Sequence, residues 1–160
     1  MNGEDIDHFD ARILAALQED AGLSQRELAE RIGLSQNACW RRLQALGASG
    51  VIGRRTVKLD RDKVGLGLVV FTMVRTSHHS REWLEAFRGH VAAIPEITDF
   101  YRISGNYDYM LKIVTGGMAE FDAVYQRLIT GVELSAVSSY FAMEAILEDR
   151  PLAIPVKRRR

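Results

Sequence analysis

The chain has 160 residues, 47% of them hydrophobic, with 21 Lys and Arg balanced by 21 Asp and Glu, three prolines and one cysteine. That composition excludes a disordered chain, and the length allows one ordinary domain or two small ones. The longest uncharged apolar run, 64–74, is about half of the roughly 20 residues a bilayer crossing needs, and the acidic opening MNGEDIDHFD lacks a signal peptide's apolar stretch, so the sequence predicts a soluble cytoplasmic protein.

The first elements are helical. Ile6, Phe9, Ile13, Leu14 and Leu17 recur at helical spacing and predict an amphipathic helix over 7–20. Ser24-Gln25-Arg26-Glu27 is a capping box ahead of Leu28, Ala29 and Ile32, so a short second helix starts there and stops at Gly33. Ser35 caps a third, with Cys39, Leu43 and Leu46 as its apolar positions. Two short helices joined by a turn containing Gly form a helix-turn-helix signature. With the apolar positions inward, Gln36, Asn37, Trp40, Arg41 and Gln44 lie on the outer side of the third helix, at the end such motifs push into the major groove. There Asn or Gln can pair with adenine, and Arg with guanine, through two hydrogen bonds. Ser24, Gln25, Ser35 and Arg42 complete the candidate DNA-facing residues of these helices. A plain three-helix packing unit that binds nothing is the competing reading.

Charge favours the first reading. Residues 1–30 carry a net −6, whereas 31–58 hold Arg31, Arg41, Arg42, Arg54, Arg55 and Lys58 and no acid. A localised basic surface attracts phosphates through counterion release, whatever the pI of the whole chain. Val51-Ile52 and the alternating 54–59 predict a strand, either a wing or the start of a hinge. Its Arg54, Arg55 and Lys58 would touch phosphates rather than read sequence. Asp60-Arg61-Asp62-Lys63 is a charged linker, which puts a domain boundary near Val64.

Beyond it, 68–75 (LVVFTMVR) is apolar on both faces, as a buried strand should be. A helix follows over 80–94, with Trp83, Leu84, Phe87 and Val91 inward, then a strand over 97–104, a turn at Gly105-Asn106-Tyr107 and a strand over 108–115. Gly117-Met118 opens a helix with Met118, Phe121, Val124, Tyr125 and Leu128 inward, and 137–148 alternates as a last strand. The order β-α-β-β-α-β is that of a ferredoxin-like sheet with both helices on one face. Tyr101, Tyr109, Leu111, Ile113, Tyr140 and Phe141 are expected on the other face, more apolar surface than an exposed sheet carries, which implies a symmetric dimer. The fold class is α+β: a winged helix-turn-helix domain over 1–64, a ferredoxin-like oligomerisation domain over 65–152, to which the resemblance given below adds effector binding, and a basic tail over 153–160.

Other chemistry finds little support. Adjacent His78 and His79 point to opposite sides of an extended segment and lack a third metal ligand at a familiar spacing. Cys39, near a helix start with Arg41 and Arg42, is placed as a small buried hydrophobe rather than a redox sensor. Asp7 with Asp10, and Asp60 with Asp62, sit in charge-rich segments without a pocket signal. No nucleophile elbow, P-loop or dinucleotide fingerprint occurs. Neither a catalytic residue, a metal nor a cofactor is expected. An amino-acid-binding regulatory subunit or enzyme without DNA binding, and a nonspecific architectural DNA protein, are the alternatives.

Several stretches occur together in order: Asp10-x-x-Ile13-Leu14, Glu27-Leu28-Ala29, Gly33-Leu34-Ser35, Arg42-Leu43-Gln44-x-Leu46, Gly50-Val51-Ile52 and Gly105-Asn106-Tyr107-Asp108-Tyr109. With them the chain, from Ile6 to Leu152, resembles the Lrp/AsnC (feast/famine) transcriptional regulators and their RAM-type effector domain. Cys39-Trp40-Arg41-Arg42, the stretch 76–83 and Phe141-Ala142-Met143-Glu144 are similar to the branch that includes a regulator of cysteine detoxification. The resemblance implies dimers on double-stranded DNA that assemble to octamers, with an amino acid or related metabolite as effector. It implies an effector pocket at Gly105, Asn106, Tyr107 and Asp108, with Asp108 for the ammonium group and Met118, Tyr140, Phe141 and Ala142 nearby. From the residues alone, 105–108 reads better as a plain hairpin turn. Two departures stand out. Gly47 replaces an acid after Leu46 and is expected to end the third helix a turn early. Gly131-Val132-Glu133-Leu134 replaces the usual Pro-Gly before the last strand.

Overall fold

A computed structural model describes residues 6–156. Contacts divide them into two units, one made of 6–57 with 147–156 and the other of 58–146.

The first unit holds three helices: α1 (His8–Glu19), α2 (Gln25–Ile32) and α3 (Gln36–Ala48). An acidic capping box opens α1, with the Asp7 side chain accepting from Asp10 N and the Asp10 carboxylate accepting from Asp7 N. The Ser24–Glu27 box opens α2, which ends at Gly33 with φ 73°, where the Leu34 N–H returns to the Ala29 carbonyl at 3.0 Å. Gly is required there because a Cβ disfavours that left-handed turn. Ile13, Leu28, Ala29, Ile32, Cys39 and Leu46 are each 1% exposed or less and form the centre of the unit's core.

One guanidinium ties α3 to the start of α1. Arg42 Nη1 donates to Asp7 Oδ2 and to Asp10 Oδ1, both at 2.8 Å, and its Cζ stands 5.4 Å over the Phe9 ring. Burial alone would raise the Asp7 pKa. The Asp10 backbone N–H, then the bond and charge of Arg42, outweigh it and hold that carboxyl below its ordinary value.

Two expectations for this unit are corrected. The third helix runs through Gly47 to Ala48, because Leu46 is buried and its carbonyl accepts from Ser49 Oγ and Ile52 N. That anchoring outweighs the roughly 1 kcal/mol helix penalty of Gly. Residues 53–60 form no strand among the described residues, since no neighbouring edge offers them a ladder. Contacts also gather the segment 147–156 with these helices. Gln18 clasps the Leu152 backbone, accepting from its N–H at 2.7 Å and donating to its carbonyl at 3.1 Å, while Ile154 packs on the helical core. Of the basic tail, Lys157 to Arg160 lie outside the described residues.

The second unit contains β1 (Leu68–Arg75), α4 (Arg81–Ala92), β2 (Ile97–Arg102), β3 (Tyr109–Thr115), α5 (Met118–Ile129) and β4 (Ala136–Phe141). Its antiparallel sheet has the order β2-β3-β1-β4. β4 stops at Phe141 rather than 148 because β1, its neighbour among the described residues, begins at Leu68; the final bond runs from Ala142 N to Val69 O. Both helices cover one face, and the core there contains Val70, Val74, Phe87, Leu111, Val124 and Leu128.

The apolar set expected on the opposite face is corrected by register. Tyr109, Leu111 and Ile113 point into the helix-covered core, and Phe141 meets Phe121 of α5 at 5.2 Å between ring centroids. Pairing of Phe71 with Lys112 and Tyr140, and of Met73 with Met110 and Ser138, puts those residues on the other face, with Tyr101 beside Met110. Met118, expected inward, is 60% exposed, since α5 meets the sheet only from Phe121 onward.

The clamp sets a first prediction. Arg42→Ala should lower stability to urea by about 1–2 kcal/mol, a charge-assisted bond discounted for a guanidinium one-third exposed. Because the folded Asp7 pKa is depressed, its stabilisation is present above the ordinary value of 3.8 and lost as pH falls through the folded value. The melting temperature should therefore fall on acidification below the ordinary value of 3.8, and less so in Asp7→Asn.

Candidate nucleic-acid interface and effector site

The outer side of α3 presents Gln36, Asn37, Trp40, Arg41 and Gln44, all exposed. Cys39 and Leu46 are buried and Leu43 half-buried on its inner side, which is why a 13-residue helix shows one polar face. Ser35 caps the helix at Ala38 N and Ser24 caps α2 at Glu27 N, so both hydroxyls hold helix starts in place. Gln25 Nε2 donates to the Gln36 carbonyl at 3.3 Å and links those two starts. Gly33 and these contacts fix the angle at which α3 is offered to a partner.

The cations of 31–58 fall into two groups. Arg31 pairs with Glu19, and Arg42 is held by Asp7 and Asp10, so both serve as ties within the helical unit. Arg41, Arg54 and Arg55 are exposed and have no hydrogen bond or ion pair among the described residues. Lys58 is exposed too, with a partner of its own. An unpaired guanidinium keeps its five donors for an external phosphate or guanine.

Within one chain the candidate effector residues fall into two groups, with Tyr140 of β4 between them and hydrogen-bonded to Tyr107. Gly105 to Asp108 close the turn at the Arg75 end of β1. Asp108 N donates to the Val74 carbonyl, and Asp108 Oδ2 accepts from Thr76 N at 2.9 Å. Asp108 Oδ1 has no hydrogen bond among the described residues. Gly105 takes φ 126°, a conformation that favours glycine. Arg75 Nε donates to the Asn106 carbonyl at 2.6 Å, and its Cζ lies 5.3 Å from the Tyr107 ring centroid. The Tyr107 hydroxyl meets Ser138 Oγ at 2.9 Å. Hydrogen bonding from Ser138, then from Tyr140, holds the Tyr107 phenol below its usual range, and Tyr140 is raised in turn. Met118, Phe141 and Ala142 lie at the other end of β1, near Leu68 to Val70. The two groups are separated by about 16 Å of strand, from Val74 to Val69 at roughly 3.3 Å per residue.

Sequence reasoning missed Arg75, Thr76 and Ser138 as partners of the turn. Arg75, a charge closing an apolar strand just before the turn's neighbour, was the available signal. His78 Nε2 lies 3.0 Å from Glu133 Oε2, and no group of three or more metal-ligating side chains occurs among the described residues. Cys39 is fully buried, and desolvation raises its thiol pKa. No helix of the described residues is long and apolar enough to cross a membrane.

Comparison with known proteins accounts for both units. Residues 6–52 match the family model for winged helix-turn-helix DNA-binding, and 69–152 that of the Lrp/AsnC ligand binding domain. The glutamate uptake regulatory protein of Zymomonas mobilis is 43% identical over 150 residues, covering 94% of this chain and 92% of the relative. The DNA-binding transcriptional activator DecR of Escherichia coli is 41% identical, covering 88% and 93%. Among solved structures, an AsnC family transcriptional regulator from Agrobacterium tumefaciens superposes with TM-score 0.86 at 46% identity, over 89% of this chain and 93% of that one. A transcriptional regulator from Neisseria meningitidis in complex with L-Met gives TM-score 0.86 at 30% identity, over 91% and 95%. A helix-turn-helix with unpaired cations beside its recognition helix, joined to this sheet domain and matched along nearly its whole length, makes the chain a member of the Lrp/AsnC family of DNA-binding transcriptional regulators.

Proposed function

We propose that the chain reads its operator through Gln36, Asn37 and Arg41, and holds phosphates through Arg54, Arg55 and Lys58. The observation that carries this is the sorting of charge. Arg31 and Arg42 are used inside the helical unit, while Arg41, Arg54 and Arg55 are unpaired among the described residues. The effector is an amino acid or a close metabolite. Its ammonium group would meet Asp108 Oδ1, the free oxygen of a carboxylate whose other oxygen is committed to Thr76 N. The protein acts in the cytoplasm as a regulator and not as an enzyme.

The working form is a homodimer, built through the sheet face that carries Phe71, Met73, Met110, Tyr101 and Tyr140. The last two are 51% and 54% exposed in a single chain. Further assembly of dimers into octamers would let the Asp108 turn of one copy meet the Met118–Phe141–Ala142 end of another. That joins two half-sites which one chain keeps apart.

Gel shifts at fixed salt with a duplex from upstream of the protein's own coding sequence test the DNA role. Arg41→Ala should lose about 1–3 kcal/mol of discrimination against a mutated operator, and an equal loss on all duplexes would reassign it to a phosphate. Adding each of the twenty amino acids tests the effector. The one that alters the shift should lose its effect in Asp108→Asn while DNA binding without effector stays intact. Met73→Glu should convert the dimer to monomer in sedimentation equilibrium, and an unchanged mass would remove the sheet face as the interface.

A further inference from the structure

The helical unit has a cleft of about 420 Å³ between the start of α2 and the outer side of α3. Leu17, Leu23 and Ile52, all half-buried, contribute to its floor, and the exposed Ser24, Trp40 and Arg55 stand at its rim. No carboxylate lines it, and Arg55 has no hydrogen bond or ion pair among the described residues. Trp40 keeps 50% of its surface in solvent beside this floor. An apolar floor with one unpaired cation at its edge complements a ligand that is apolar along one side and anionic at one point.

Resting on the DNA-binding reading above, we infer that this cleft seats the sugar-phosphate backbone of the duplex, with Trp40 against a deoxyribose and Arg55 on its phosphate. Trp40 is thereby a sequence-independent grip. Base edges in the major groove offer hydrogen-bond donors and acceptors, with the thymine methyl as their one apolar group. An indole has a single N–H donor and no acceptor, so it discriminates poorly among those edges. The alternation of sugar and phosphate along a strand is the chemistry that an aromatic face beside a guanidinium fits. The bidentate groups able to read bases, Gln36, Asn37 and Arg41, lie on the same outer side of α3, so a duplex docked there runs past the cleft.

Fluorescence anisotropy with the full chain tests this, on the operator duplex and an unrelated duplex across a series of KCl concentrations. Trp40→Ala should weaken both complexes by a similar factor, about five- to tenfold, leaving their ratio unchanged. Trp40→Phe, which keeps an aromatic face, should recover most of the loss and guards against a folding defect. Arg55→Gln should reduce the slope of log K against log salt by about one. The inference is overturned if Trp40→Ala changes the preference at one operator base pair while binding to the unrelated duplex is intact. It is equally overturned if Arg55→Gln leaves the slope as it was. A wild-type chain that binds neither duplex would instead bring down the DNA-binding reading itself.

Discussion

The bridge from Arg42 to Asp7 and Asp10 is the interaction on which the geometry of the helical unit depends. It joins the recognition helix to the start of α1 through two charge-assisted bonds of 2.8 Å, at a place where both carboxylates already serve as the helix cap. The same carboxyl groups therefore terminate one helix and orient another. A hydrophobic contact could hold α3 down, but it would not fix its rotation. The fork of a guanidinium over the Phe9 ring fixes both distance and direction.

This bridge also divides the basic stretch into parts with different work. A charge run of six cations is a uniform feature in one dimension, yet a cation with an internal partner has fewer donors left for an external phosphate. Arg31 and Arg42 are used to hold helices together, while Arg41, Arg54 and Arg55 remain unpaired among the described residues. The exposed, unpaired cations of this stretch are thus fewer than its composition suggests, and they lie on α3 and just beyond it.

In the sheet unit, the Asp108 turn sits at one end of β1 and the Phe141–Ala142 strand end at the other, and Tyr107 reaches from the turn to Ser138 and Tyr140 of β4. About 16 Å of strand, from Val74 to Val69, lies between these two ends. The chain after β4 then returns to the helical unit, where Gln18 and the core receive Leu152 and Ile154. The two units are therefore joined twice along the chain, once through 53–67 and once through the segment that follows Ala142.

Much of this was legible in order and spacing alone. The two capping boxes, Gly33, the helical period of Ile13, Leu28, Ile32 and Cys39, and the β-α-β-β-α-β sequence of elements depend on near neighbours, and local sequence decides them. The outward set on α3 followed from the same period. What tertiary structure decided were matters of long-range pairing. Arg42 was indistinguishable from Arg41 until Asp7 and Asp10, more than thirty positions earlier, came beside it. Which parity of β3 faced the helices depended on register with β1, and a shift of one residue exchanges the faces, so Tyr109, Leu111 and Ile113 were misplaced. The absence of a strand at 53–60 and the early end of β4 reflect the neighbours available to each, which no local pattern encodes. Spacing along the chain determines which helices and strands form, because their hydrogen bonds and periodicity are local. Only folding determines which charges are neutralised and which faces are covered, because those depend on what the rest of the chain brings alongside.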